Sequence, residues 1–391
     1  MKSIGLDIGT TTICGILMDA ATGELIRKIT LPNDTAYAGE ASFERLQNPQ
    51  KIEEKCRWIA QELCADEVDI VSLGVTGQMH GILYLDKEGT AVSPLMSWQD
   101  GRGSQLYRDS KTYAEVLSEQ TGYQLATGFG AVTHFYNTVN GLIPEGAVTF
   151  CTIADYIALR LVGRKEPLLH VSMAASLGIF RMDRGVFDAE KITASGMDIR
   201  YFPTVDREES SIGTWGIVPV SPAFGDNQAS FLGSVDDKSN VLVNVGTGSQ
   251  VSILGDRLEN FESLECRPFM EGRYLYVGCS LCGGYSYSLL KGFFESVFRM
   301  CDTADVPELY EYMNKAGQRA KTKRGSRTAE RGLLVDTRFQ GSRKEPTLRG
   351  RIEGISPANF QADEMVLGVL EGISCELLAF YEEYEQQRKS G

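Results

Sequence analysis

Positive charge is scarce in this chain: 39 Lys and Arg stand against 52 Asp and Glu, a formal net charge of −13. That balance argues against wrapping a nucleic acid, which needs a concentrated basic surface to neutralise phosphates. It does not exclude one nucleotide, because glycine turns and a bound Mg2+ focus positive potential locally inside an acidic protein. The basic run KTKRGSR at 321–327 is accordingly read as a solvated loop. A cysteine framework is also missing. The nine cysteines are scattered and odd in number, which excludes the disulfide scaffold of a small secreted domain, and they are read as reduced. Cys279 and Cys282 have CxxC spacing, but neither a second pair nor a His cluster accompanies them, so no metal site is assigned to cysteine. Nor is there an apolar leader: the N-terminus reaches Asp7 after a few apolar residues, without a signal-peptide core or a membrane span. A cytoplasmic chain with no membrane partner is expected.

What is present is an ordinary globular composition in 391 residues, too long for one compact core and suited to two domains. A weak internal repeat organises them. In the first copy Ile4, Leu6 and Ile8 alternate, the turn Gly9, Thr10, Thr11, Thr12 follows, and 13–17 returns as a strand. In the second, Val241, Val243 and Val245 alternate before Gly246, Thr247, Gly248, Ser249 and a strand at 251–254, so that Asn244 corresponds to Asp7. Between the copies, Ile52, Cys56, Ile59 and Leu63 share one face of a helix at 50–64. Strands are expected at 70–76, 81–85 and 149–153 and a helix at 155–161. After the second hairpin come a strand at 274–277 and helices at 284–300, 306–320 and 363–387. The pattern predicts an α/β protein of two mixed-sheet lobes, 1–224 and 225–391, with a central cleft.

The turns and the polar segments beside them carry the candidate chemistry. Glycine at 9 and 246 permits backbone angles that point successive N–H groups at one anionic oxygen, with Thr hydroxyls adding donors; an ordinary hairpin turn is the plainer alternative. Asp7 ends a buried strand, where a carboxylate needs a partner, and a hydrated Mg2+ beside a triphosphate is the natural one. Gln78, Met79 and His80 lie in GVTGQMHG; His80, one of three histidines, is either a structural group or a ligand group. In SWQDGR, Trp98 offers a flat face, and Asp100 either accepts sugar hydroxyls or pairs with Arg102. TGFG at 127–130 reads as a loop able to close over a ligand. In GDNQ at 225–228, Asp226 is either a helix N-cap or a carboxylate placed to take a proton from an attacking hydroxyl.

Together these segments resemble the FGGY carbohydrate kinases over essentially the whole chain. DIGTTT (7–12) resembles that family's first phosphate motif, GQMHG (77–81) its sugar loop, GDNQ (225–228) the motif of its catalytic aspartate, GTGS (246–249) its second phosphate turn, and CGG (282–284) the segment whose glycine lies by the nucleotide. WQDGR, TGFG and the stretch from Asp155 through Ser176 look most like sedoheptulokinases, with xylulokinases next. The resemblance implies two actin/hexokinase-like (ribonuclease H-like) lobes and ATP-dependent phosphorylation of a ketose at a terminal primary hydroxyl, with sedoheptulose 7-phosphate the expected product. Xylulose or another pentulose or polyol is the alternative acceptor. It implies Asp226 as general base and Asp7 as the anchor of Mg2+ through water. ATP and its phosphates fall to Gly9, Thr10, Thr11, Thr12, Gly246, Thr247, Gly248, Gly283 and Tyr287. The sugar falls to Gln78, Met79, His80, Trp98, Asp100, Asp226 and Asn227. Closure of the lobes would keep water from the phosphoryl group, and a monomer or homodimer is expected. In one respect the sequence departs from the pattern: family members continue past the last helix with a Gly-rich adenosine loop, and none follows Asp363 here. A shortened second lobe, and with it a non-catalytic sugar-binding relative, is therefore the competing expectation.

Overall fold

The computed structural model describes residues 1–65, 67–206, 210–235, 241–300, 307–325, 332–342, 345 and 347–390. Two compact units divide the chain: Met1–Gly233 with Arg267–Arg273, and Ser234–Cys266 with Tyr274–Gly391. Sequence reading put a boundary at Gly225; in this division residues 225–233, Asp226 among them, belong to the first unit.

In the first unit the alternation at Ile4, Leu6 and Ile8 buries one face of β1 (Lys2–Ile8), each residue at most 2% exposed. It pairs antiparallel with β2 (Thr12–Asp19), which pairs antiparallel with β3 (Leu25–Pro32). Helix α1 (Pro49–Cys64) starts where the Asn48 side chain accepts the Lys51 N–H at 3.0 Å. It buries Ile52, Cys56, Ile59 and Leu63, the predicted stripe. Its landing site on β2 is Gly15, where a Cβ would stand 2.2 Å from Ile59 Cγ2. Strand β4 (Ile70–Gly77) then lies parallel to β1 on its other side.

The segment expected as a strand at 149–153 stops at Cys151, because Thr152 caps α2 (Ile153–Val162), its Oγ1 accepting the Asp155 N–H. A short helix α3 (Val171–Ser176) follows. The chain then returns to the sheet as β5 (Gly213–Trp215), β6 (Val218–Val220) and β7 (Phe224–Gly225), and leaves it in α4 (Asp226–Ser234). The seven-stranded sheet has the order β5-β6-β4-β1-β2-β3, with β7 also parallel to β4.

Asp155 is wholly buried at the start of α2, and burial pushes its carboxyl up to about 7 against the lowering hydrogen bonds from Thr152. The folded chain thus holds a proton there that the unfolded chain has released above its ordinary 3.8. This contribution to stability is fully present below about pH 4 and is lost as pH rises through about 7. Asp155→Asn, neutral throughout, is expected to gain melting temperature on the parent as pH rises from about 4, with the gap levelling above about 7. Thermal melts of both chains across that range would show it; a gap independent of pH would contradict it.

The second unit repeats the hairpin. Strand β8 (Val241–Val245) pairs antiparallel with β9 (Ser249–Gly255), and β9 with β10 (Tyr274–Ser280). Helices α5 (Gly283–Met300), α6 (Leu309–Gly325) and α7 (Ala362–Ser390) follow. Phe380 of α7 seats on Gly278 of β10, where a Cβ would be 2.4 Å from its ring. The helix expected at 306–320 is α6; Val306 lies outside the described residues. The basic run is corrected as well: Lys321, Lys323 and Arg324 end α6, and Arg324 pairs with Glu364 at 2.7 Å and Glu371 at 2.6 Å on α7. Its Ser326 and Arg327 lie outside the described residues. Among the described residues no helix is long and apolar enough to cross a membrane.

Candidate functional site

Three parallel strands of the first unit end together. Asp7 of β1 and Phe224 of β7 both stand opposite Thr76 of β4, and Ile8 and Gly225 both stand opposite Gly77. Thr76 Oγ1 donates to the Phe224 carbonyl at 2.8 Å, and the Gln78 N–H to the Ile8 carbonyl at 2.9 Å. A side chain would be crowded at two of these positions. A Cβ on Gly77 would lie 2.7 Å from the Ile8 carbonyl oxygen, and one on Gly225 would lie 2.4 Å from Gln228 Oε1 and 2.8 Å from Met79 Cε. The strand ends therefore bring together the Gly9–Thr12 turn, the Gln78–His80 loop and Asp226. Carboxyl ends of parallel strands are where α/β sheets bind ligands.

The first turn is held with its carbonyls turned inward. Asn33 donates from Nδ2 to the Gly9 carbonyl at 2.8 Å and from its backbone N–H to the Thr11 carbonyl at 2.8 Å. Gln47 Nε2 donates to the Thr10 carbonyl at 3.1 Å, and the Gly9 N–H to the Thr12 carbonyl at 2.9 Å. With these acceptors engaged from behind, the turn presents the amide and hydroxyl groups of Thr10 and Thr11, a donor-rich concavity suited to an anion. Trp98, 45% exposed, anchors on the same turn through Nε1 to Thr10 Oγ1 at 3.0 Å and leaves a flat apolar face in solvent.

Asp226 is not a conventional cap. Its Oδ1 accepts from the next residue, Asn227, at 2.7 Å from N–H and 3.0 Å from Nδ2, rather than from an amide two or three residues into the helix. Oδ2 has no hydrogen-bond partner among the described residues. Burial raises the Asp226 carboxyl, opposed by the Asn227 bonds and the charge of Arg267. Asp7 is raised too, first by the protein mass around it, although its side chain reaches solvent, and then by the charge of Asp226. A carboxylate raised by a neighbouring carboxylate suits a hard cation, and Mg2+ prefers one or two carboxylates plus ligand phosphates to an all-protein cage. No group of three or more His, Cys, Asp or Glu able to hold a metal occurs among the described residues.

His80 adopts a left-handed backbone, φ 71°. Its N–H donates to Ser176 Oγ at 3.2 Å, and Nδ1 lies 2.6 Å from the Ser176 carbonyl, which requires a proton on Nδ1. The ring stacks on Phe129, with centroids 4.6 Å apart. TGFG is accordingly a docked support rather than a loose lid: a Cβ on Gly128 would lie 2.0 Å from the Trp98 carbonyl oxygen, and Thr127 Oγ1 is 2.7 Å from Ser104 Oγ.

Asp100 needs correction. It is wholly buried, and its acceptor positions are filled: Oδ1 by the Arg102 N–H and Nε, Oδ2 by Arg102 Nη2 and the Arg45 N–H. A carboxylate with four donors already on it has nothing left for sugar hydroxyls. Asp100 instead fixes the Arg45 backbone, whose carbonyl in turn accepts the Ser97 N–H.

In the second unit Gly246 and Thr247 are exposed at the end of β8. The start of α5 is clamped on this turn, the Gly284 N–H donating to the Gly246 carbonyl at 2.7 Å and the Tyr285 N–H to the Thr247 carbonyl at 3.0 Å. Gly283 permits that approach, since a Cβ there would overlap Ser249 Oγ at 1.9 Å. Gly248 closes the turn through its carbonyl, which accepts the Gly246 N–H at 2.8 Å. Among the described residues no hydrogen bond or ring contact joins the Tyr287 side chain to the turn; its hydroxyl donates to Asn314 Oδ1 at 2.8 Å and its ring stacks on Tyr310. Cys282 is buried, with the Gln340 N–H on its sulfur.

Sequence reading missed Gln47 and the two serines of α3. Ser172 Oγ accepts the Gly225 N–H at 3.0 Å, and Ser176 holds His80, so one short helix supports both Asp226 and the acceptor loop. The spacing of four residues, which puts both serines on one helical face, was the available signal.

Comparison with known proteins identifies the family. Residues 3–233 match the model of the N-terminal domain of the FGGY family of carbohydrate kinases. Mouse sedoheptulokinase is 28% identical over 325 residues, a match covering 72% of this chain and 66% of that protein. The chain thus spans just under two thirds of that relative's length. A crystal structure of xylulose kinase from Rhodospirillum rubrum superposes with a TM-score of 0.79 at 18% identity, covering 100% of this chain and 80% of that one. Plasmodium falciparum glycerol kinase, solved with ADP, superposes at 0.75 with 15% identity, covering 98% and 78%. The likeness shows the fold, with actin/hexokinase-like α/β lobes.

Proposed function

The chain belongs to the FGGY family of carbohydrate kinases, and from that premise we propose that it transfers the γ-phosphoryl group of ATP to a terminal primary hydroxyl of a ketose. Sedoheptulose is the first candidate acceptor and xylulose the next. The observation that carries this reading is Asp226: one carboxylate oxygen pinned by Asn227, the other without a hydrogen-bond partner among the described residues, at the strand ends that also bear Asp7 and the Gln78–His80 loop.

In this reading Asp226 Oδ2 takes the proton of the sugar hydroxyl as the oxygen bonds to the γ-phosphorus and the bond to the β,γ-bridging oxygen breaks, releasing ADP. The raised carboxyl makes Asp226 a stronger base than an exposed aspartate. Asn227 fixes its rotamer. The sugar is held by Gln78, Met79, His80 and Asn227, with Trp98 as an apolar face. Thr10, Thr11 and Thr12 take phosphate oxygens on the turn that Gly9 shapes, its own N–H being held by the Thr12 carbonyl, and Gly246, Thr247 and Gly248 form a further phosphate turn. Asp7 would hold Mg2+, which when bound would neutralise phosphate charge. Alignment and charge compensation provide most of the acceleration in such transfers.

The test is ADP release by the purified chain with Mg-ATP, with and without sedoheptulose, xylulose, ribulose or glycerol. Release that depends on a ketose is the expected result. Sugar binding with no ADP above the sugar-free rate would replace this reading by a non-catalytic sugar-binding protein.

A further inference from the structure

Gln47 is 4% exposed, on a two-residue strand paired with Ala36 on one side and Leu95 on the other, so its backbone is fixed. Its side chain bridges the two halves of the first unit's site. Nε2 donates to the Thr10 carbonyl in the phosphate turn at 3.1 Å, and Oε1 accepts from Gln78 Nε2 in the acceptor loop at 2.9 Å. A backbone carbonyl only accepts, so it dictates the polarity of everything after it. Gln47 must turn its nitrogen to Thr10 and its oxygen to Gln78. Gln78 must answer with its nitrogen, and its own oxygen is left over. That Oε1 is buried, in a side chain 5% exposed, and has no hydrogen-bond partner among the described residues. A buried acceptor left unpaired is costly and calls for an explanation.

We propose that Gln47 is a positioning residue that locks the Gln78 carboxamide so that its oxygen accepts the hydrogen of one sugar hydroxyl. The inference rests on the sugar kinase reading above and adds a rule of selectivity to it. The position next to Gln78 is reserved for a donor, and a sugar lacking that hydroxyl leaves Oε1 unpaired and binds correspondingly worse. Without Gln47 the amide of Gln78 is free to flip and to present either end.

The test is calorimetric titration of the full chain, without nucleotide, with D-sedoheptulose and in parallel with D-xylulose. Gln78→Met is expected to weaken binding of the accepted sugar about tenfold, and Gln47→Met about fivefold. Because Gln47 acts through Gln78, the double variant is expected to stay within about twofold of Gln78→Met alone. Losses that multiply in the double variant overturn the proposal. Unchanged binding in Gln47→Met beside normal sugar-dependent ADP release sinks this inference alone. No binding and no turnover by the unaltered chain with any sugar of the panel sinks it together with the kinase reading.

Discussion

Asp226→Asn is expected to lower sugar-dependent turnover by about a thousandfold while leaving sugar affinity within a few-fold of the parent. General-base contributions are typically of that size. The amide is isosteric and accepts the Asn227 bonds through its oxygen, but at the Oδ2 position it carries an NH2 group that cannot take a proton. The structure sharpens the expectation, since Oδ1 is already engaged at 2.7 and 3.0 Å and only the other oxygen is available for chemistry. Steady-state rates and sugar titrations of parent and variant measure the two quantities separately. A variant with a few per cent of parental turnover or more would remove Asp226 from the reaction. Equal losses of turnover and affinity would make it a binding group instead.

The second large effect concerns stability. Arg102→Leu is expected to destabilise the first unit by about 3–5 kcal/mol, because removing one partner of a buried ion pair leaves the other uncompensated. Asp100 has no exposed surface, and Arg102 supplies three of its four donors while also donating from Nη1 to Asn137 Oδ1 at 2.7 Å. The main-chain donor survives the substitution, and the two guanidinium bonds do not. Asp100→Leu combined with Arg102→Leu should recover part of the loss, since it removes the uncompensated charge but leaves the main-chain N–H groups of residues 45 and 102 without their acceptor. Urea unfolding of the three chains decides it. A cost below about 1 kcal/mol for Arg102→Leu would mean that the pair contributes little to holding Ser97 and Trp98 in place.

The elements that could be read from sequence share a physical origin. A half-buried strand must alternate and a helix on a sheet must carry a stripe, so Ile4, Leu6, Ile8 and the face from Ile52 to Leu63 declared themselves within a few residues. The two hairpin turns were legible for the same reason, as punctuation between alternating runs. Roles set by partners distant in sequence were not legible in this way. Nothing near Gln47 announces that Gln78, 31 positions away, will meet its side chain. Nor does the local pattern of WQDGR decide between a sugar ligand and a closed ion pair for Asp100; the deciding donor from outside the motif is the Arg45 N–H, brought in from 55 positions away. Tyr287 was assigned to the nucleotide by likeness, and its hydroxyl is drawn off by Asn314 of a later helix. The reverse holds for Asp226. As a cap its oxygen would accept an N–H two or three residues into the helix; it accepts that of Asn227 instead, which sets the cap reading aside, and the base is our proposal.

The account stands on phosphoryl transfer to a sugar hydroxyl, and the most direct measurement follows the phosphorus itself. The full chain would be incubated with Mg2+, sedoheptulose and ATP labelled at the γ-phosphate, and the products separated and weighed by mass spectrometry. The account predicts the label in a sugar monophosphate, formed in equal amount with ADP and abolished in Asp226→Asn. Label recovered as inorganic phosphate, or unmoved in ATP across the whole ketose panel, would contradict it.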